Sequence, residues 1–181
     1  TLPVAATIRQ SLPDSHIVWM VEERFQSLLF DNPDINEIIP LRTKVWRKNW
    51  NRQSFREILD TIKTLRQHKF DIVLDLHGLI KSGIIAGLSG ASMRVGFHKK
   101  NCKEKVSALF TNKKAPYMAE GRHVVDMYLA LLQTALGKTE EKKVFSLPIP
   151  EEADEKSRQL FAQNSDLTDR PVIGINPGAG F

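Results

Sequence analysis

The side chains best placed for chemistry lie in FDIVLDLHGLIKSG, from Phe70 to Gly83. It offers a carboxylate at Asp75, an imidazole at His77, a bare backbone at Gly78, an ammonium at Lys81 and a hydroxyl at Ser82. If a strand ends at Asp75 and a helix opens near Leu79, these groups collect where the strand's carboxyl end meets a helix N-terminus. In open parallel sheets that edge takes ligands, and the unpaired N–H groups of a helix N-terminus favour anions. Glycine at position 78 would let backbone approach such a ligand. A second reading stands beside this one. Any parallel β-α unit has this form, with Asp75 capping the turn and His77 on the surface.

Two further segments carry cations. LRTKVWRKNWNRQ, from Leu41 to Gln53, holds Arg42, Lys44, Arg47, Lys48 and Arg52 and no acidic residue. Trp46 and Trp50 are four positions apart and share a face if the segment is helical. Cations beside tryptophans suit phosphate-rich amphiphiles or an anionic membrane surface. They also suit nucleic acid, through stacking and phosphate contacts, or a core edge with solvated charges. His98 to Lys114 adds Lys99, Lys100, Lys103, Lys105 and Lys113, and reads as a functional loop or as mobile solvated lysines. The net charge of +5 over 181 residues concentrates in these two segments. The single cysteine, Cys102, excludes an internal disulfide framework and a cysteine-rich metal site, and fits a reducing cytoplasm. No zinc-ligand spacing, GxGxxG, phosphate-loop consensus or nucleophile elbow is present, and no apolar run reaches the roughly 20 residues that span a bilayer.

These groups need a scaffold, and the hydrophobic pattern supplies one. Ile72-Val73-Leu74 is a short apolar run suited to a strand buried on both faces of a parallel sheet. The helix after it runs through Ile84, Ile85 and Leu88, with Gly87 and Gly90 ending it. Upstream, a helix is expected over Leu2–Leu12 and a strand over His16–Val21. A short helix follows, starting at Glu22 and Glu23 with Phe25, Leu28, Leu29 and Phe30 on its apolar side. Glu37–Pro40 reads as a strand. Ser54–His68 is an amphipathic helix whose stripe of Phe55, Ile58, Leu59, Ile62 and Leu65 should face the core, with Ser54 and Glu57 as a capping box. Downstream come a strand at Met93–Phe97 and a loop docked by Val106, Ala108, Leu109 and Phe110. A helix over Val124–Leu136 follows, with His123 at its start and Gly137 as its stop. Val144–Pro150 reads as an extended linker. Glu151–Asn164 reads as a helix with Ala153, Leu160 and Phe161 inward, and Val172–Asn176 as a strand running into a glycine-rich turn. This order is a parallel α/β sheet, with a domain over residues 1–148 and the beginning of a second over residues 149–181. Such a domain usually opens on a strand. Here a helix comes first, so a first strand and its loop are expected to precede Thr1.

Several segments, in order, resemble glycosyltransferase family 9, the ADP-heptose:lipopolysaccharide heptosyltransferases. They are TLP at Thr1–Pro3, VWMVEE at Val18–Glu23, WRKNW at Trp46–Trp50, FDIVLDLHGLIKSG, SALF at Ser107–Phe110, HVVDMYLALL at His123–Leu132 and NPGAGF at Asn176–Phe181. The resemblance implies the Rossmann-like N-terminal lobe of a GT-B fold and the start of the second lobe. It implies an inverting transfer of heptose from ADP-L-glycero-D-manno-heptose to the Kdo inner core of lipopolysaccharide, without a metal or other cofactor. The partners are then the ADP-heptose donor, a Kdo-lipid A type acceptor and the surface of the inner membrane, with a cytoplasmic or peripheral location. Carried onto this sequence, Lys44, Arg47, Lys48, His77, Gly78, Lys81 and Lys103 would meet the acceptor, and Pro177, Gly178, Ala179 and Gly180 would border the donor phosphates. His77 stands where the family has glutamine, Lys103 where it has arginine, and Met127 replaces a basic residue. The family's base and donor lysine would fall before Thr1 and after Phe181, so no catalytic residue is assigned. Two alternatives are a family relative using another nucleotide sugar, and a non-catalytic basic module binding nucleic acid or anionic membrane. Of these partners nucleic acid is the less expected, since no nucleic-acid fold signature is present.

Overall fold

The computed structural model of the protein describes residues 1–48, 51–137 and 143–163. The chain forms two compact units, residues 1–147 and 148–181. In the first, helix α1 (Leu2–Ser11) precedes strand β1 (Val18–Glu22), a 3-10 helix (Glu23–Leu29) and strand β2 (Glu37–Leu41). Short helix α2 (Thr43–Lys48) and long helix α3 (Arg52–Gln67) lead to β3 (Ile72–Leu74) and α4 (Ile80–Leu88). Strand β4 (Met93–Gly96), a second 3-10 helix (Lys105–Phe110), β5 (Lys113–Lys114) and α5 (Val124–Leu136) complete the unit. All strand pairs are parallel, in one sheet of β1 and β2 and another in the order β3-β4-β5. Among the described residues no strand pairs β1 to β3.

The core gathers around α5. One of its faces meets Val95, Phe97, Ala115 and Met118 through Leu131. Another joins α1 through Val4, Val125, Leu129 and Leu132, with Leu74 and Leu76 reaching both groups. α1 starts with a proline in its first turn, where a missing N–H costs nothing. α5 ends at Gly137, whose positive φ of 85° suits glycine.

Several sequence expectations need correction. The N-cap of α3 is Asn51, whose side chain accepts from Ser54 N at 2.9 Å, in place of a Ser54–Glu57 capping box. Of the α3 stripe only Leu65 is buried, while Phe55 and Leu59 are exposed. The neighbours of α3 are the helices α2 and α4, and Trp46 of α2 bonds Glu57 on it. In the first 3-10 helix only Leu29 is buried, and Phe25, Leu28 and Phe30 face solvent. Gly87 lies inside α4, not at its end, and Phe110 packs against it. Val106 and Leu109 are exposed, leaving Ala108 and Phe110 to dock the second 3-10 helix.

In the second unit, α6 (Glu151–Gln163) buries none of its residues, so Leu160 and Phe161 are exposed and not inward. The expected strand at Val172–Asn176 and the donor-side residues Pro177, Gly178, Ala179 and Gly180 lie outside the described residues, as does Trp50.

Candidate functional site

The carboxyl end of β3 is a tightly wired turn. Asp75 is buried, and its Oδ1 accepts from His77 N at 3.0 Å and Gly78 N at 3.1 Å. A carboxylate buried and committed to its own turn by two backbone N–H groups is part of the scaffold. Gly78 has φ +64°, and a Cβ there would meet Phe97 Cδ2 at 3.2 Å and the Cys102 backbone at 3.3 Å. The bare backbone is needed because the 98–104 loop closes over it, with Glu104 N donating to Gly78 O at 3.0 Å.

The N-terminus of α4 already holds an anion from its own chain. Glu104 Oε2 accepts from Ile80 N at 2.6 Å, and Ser82 Oγ accepts from Leu79 N at 3.3 Å. The helix end is therefore occupied by a carboxylate where sequence reasoning placed a ligand. The cations beside it are what remain open. His77 is exposed, yet partial desolvation, then Lys103, then Lys81 lower its pKa below the usual 6.5. His77, Lys81 and Lys103 thus form one electropositive group fed by two loops.

Lys81 reaches across to the other sheet. Its Nζ donates to Glu22 Oε1 at 2.9 Å and to Thr43 Oγ1 at 3.1 Å, and Thr43 Oγ1 also donates to Glu22. Burial pushes the Glu22 carboxyl up, but the Thr43 hydroxyl and the Lys81 ammonium outweigh this and leave its pKa below the usual value. Glu22 ends β1 and Thr43 opens α2, so this cluster seats the basic segment beside the β3–α4 turn. Trp46 anchors the segment's far side by donating from Nε1 to Glu57 Oε2 at 2.8 Å. Arg42 pairs with Glu23 at 3.0 Å. Lys44 and Lys48 stand exposed, with no ion pair to a described residue.

Of the expected acceptor residues, the structure brings His77, Lys81 and Lys103 together, buries Gly78 beneath the 98–104 loop, and leaves Lys44 and Lys48 exposed on α2, whose first residue bonds Lys81. Arg47 belongs to α2, between Lys44 and Lys48 in sequence. Sequence reasoning missed Glu22, Thr43 and Glu104, which hold the start of α4. Glu22 had a readable signal, since it directly follows an apolar strand at the ligand-bearing end of the sheet. His123 proves structural, its Nδ1 capping α5 by accepting from Val125 N at 3.3 Å.

The family model described as glycosyltransferase family 9 (heptosyltransferase) matches residues 58–181. Lipopolysaccharide heptosyltransferase 1 of Escherichia coli K12 is 28% identical over 144 residues, covering 76% of this chain and 43% of that protein. Lipopolysaccharide heptosyltransferase 1 of Campylobacter coli is 30% identical over 170 residues, covering 89% of this chain and 45% of the relative. The chain thus spans less than half the length of the curated relatives it matches. Among solved structures, E. coli heptosyltransferase WaaC with ADP-2-deoxy-2-fluoro heptose superposes with a TM-score of 0.71 at 25% identity, over 80% of this chain and 46% of that one. The same enzyme with ADP gives 0.70 at 26% identity, over 78% and 44% of the two chains.

Proposed function

The chain belongs to glycosyltransferase family 9, and from that premise we propose that the protein transfers heptose from ADP-L-glycero-D-manno-heptose to a Kdo sugar of the lipopolysaccharide inner core, with inversion. Its parallel α/β fold is that of the GT-B heptosyltransferases it superposes on. In this reading residues 1–148 are the acceptor-binding lobe, and residues 149–181 begin the lobe that binds the nucleotide sugar. The reaction takes place in the cytoplasm, with the protein resting on the inner face of the inner membrane. In keeping with this, no helix among the described residues is long and apolar enough to cross a membrane.

One observation supports the acceptor side of the reading. A Glu22–Thr43–Lys81 cluster ties the start of α2, which carries exposed Lys44 and Lys48, to the first turn of α4, beside which His77 and Lys103 lie. Such an arrangement can hold a phosphorylated glycolipid through several cations while its sugar hydroxyl faces the donor. Transfer needs a base to take the acceptor proton, and positive charge or helix N–H groups to stabilise the departing diphosphate. Asp75 is not offered as that base, because its carboxylate is buried and committed to the turn. Pro177, Gly178, Ala179 and Gly180 are assigned to the donor phosphates on sequence alone.

The test is transfer itself. The protein at its encoded length, given ADP-heptose and Kdo-lipid A, should add one heptose to the acceptor, read as a mass shift. No transfer, with consumption of a different nucleotide sugar, would replace the heptose assignment by another donor.

A further inference from the structure

At the opposite edge, by the amino ends of the strands, three side chains converge from distant parts of the chain. His16 lies just before β1, Glu37 is the first residue of β2, and His68 caps the C-terminus of α3. His68 Nε2 lies 3.4 Å from Glu37 Oε1, and His16 Nε2 lies 3.7 Å from Glu37 Oε2. The ligand atoms of all three fall within 4.8 Å of one another. Both nitrogen–oxygen separations exceed an ordinary N–H···O bond of about 2.7–3.2 Å. The His68–Glu37 separation lies near the edge of a tetrahedral metal site, roughly 3.3–3.5 Å when metal–nitrogen and metal–oxygen bonds are about 2.0–2.2 Å, and His16 lies slightly farther out, against the other oxygen of the same carboxylate.

The three are also held in place. Arg9 donates to Ser15 O at 2.8 Å and to Asn36 Oδ1 at 2.5 Å, and Asn36 Oδ1 accepts from Ile17 N at 2.8 Å. Glu37 N donates to Ile17 O at 3.2 Å. The backbone on both sides of His16 is thus tied to the start of β2. The His68 ring stacks on Phe70 at 5.1 Å between centroids and faces the His16 ring at 6.3 Å. Every element of a small ligand set is present before any ion arrives.

We propose that His16, Glu37 and His68 form a binding site for a divalent transition-metal ion of the zinc kind. Two imidazoles and a carboxylate suit zinc or cobalt better than magnesium or calcium, which prefer oxygen alone. Three protein ligands leave the fourth position to water, and His16 keeps the site open to solvent with its side chain 61% exposed. The site lies at the edge away from Lys81 and His77, so its role is structural. It joins the end of α3, which leads into the β3 sheet, to the β1–β2 sheet. Sequence spacing does not reveal it, because the ligands meet only through the fold.

The full chain, stripped with EDTA, is titrated with ZnCl2 by calorimetry and with CoCl2 by visible absorption. The expected result is one ion per chain, cobalt bands of a four-coordinate nitrogen–oxygen site, and a Tm that rises with zinc. Loss of a direct ligand in His16→Ala or in Glu37→Gln should weaken binding by more than the roughly 10–100-fold that a change in an outer-shell partner costs, and abolish the Tm rise. Cys102→Ser should change nothing. Because His16 is largely exposed, its variant keeps the fold, and circular dichroism confirms this. Zinc binding that survives the His16→Ala/Glu37→Gln double variant, or is lost with Cys102→Ser, overturns the proposal. So does the absence of any zinc binding by the unaltered chain.

Discussion

His77 gives the carboxyl edge of β3 a pH signature. Desolvation, with Lys103 and Lys81 nearby, lowers its pKa in the folded chain below the ordinary 6.5. As pH falls, the unfolded chain takes up this proton first, so the unfolded state gains. Stability is therefore whole above about pH 6.5, declines below it, and levels off once pH passes the depressed folded value. Denaturant unfolding at a series of pH values should show this acid-side decline, and His77→Gln should remove it. A phosphorylated ligand on the same edge would offset the two lysines and raise the His77 pKa. Imidazole proton NMR should then show His77 titrating at higher pH with inorganic diphosphate or Kdo-lipid A present, and an unmoved titration would place the anion elsewhere. The residue's type was legible in the sequence, but the direction of its shift was not. That direction depends first on the partial burial of the ring and then on Lys103, which the closing of the 98–104 loop over Gly78 brings near.

Helix α4 has its own logic, which is contact with the second 3-10 helix. A Cβ on Gly83 would lie 3.0 Å from both Phe110 Cδ2 and Ser107 O, whereas one on Gly87 would meet Phe110 at 3.4 Å, an ordinary contact. Gly83→Ala should therefore cost about 1–3 kcal/mol through overpacking, while Gly87→Ala should be near neutral or gain up to about 1 kcal/mol of helix propensity. Urea unfolding of the two variants separates these outcomes. Helix α2 makes a contrasting case, because Lys44 and Lys48 on it are exposed. Charge reversal at Arg47 and Lys48 should weaken Kd for Kdo-lipid A well over tenfold and leave Kd for ADP nearly unchanged; equal losses would mean that the variant misfolds or that the lobe is wrongly assigned. The elements themselves were readable from apolar period, and α1, β1, β2, α3, β3, α4, β4 and α5 fall close to where the pattern put them. What the pattern could not supply was each face's partner. The α3 stripe has a clear helical period, yet Phe55 and Leu59 are exposed. Likewise Asn51 displaced Ser54 as the cap, since either side chain could serve and the entering chain direction decides.

At the scale of the first unit, the β1–β2 sheet and the β3–β4–β5 sheet are joined at both ends of their strands. His16, Glu37 and His68 meet at the amino ends, and Glu22, Thr43 and Lys81 at the carboxyl ends. In the proposed function Lys81 has two roles, to brace the two sheets and to face an anionic acceptor. The two roles separate by experiment. Lys81→Met and Glu22→Gln both break the same partly exposed ion pair, so each should lower stability by at most about 1 kcal/mol in urea unfolding. Their effects on binding should differ. Lys81→Met removes a cation from the acceptor edge and should raise KM for Kdo-lipid A, because a lost charge-assisted contact is worth about 1.5–3 kcal/mol. Glu22→Gln frees the same ammonium from its carboxylate, and KM should stay level or fall. If both variants raise KM alike, Lys81 serves the acceptor only by holding α2 against the β3–α4 turn. The exposed Lys44 and Lys48 would then carry the contact alone.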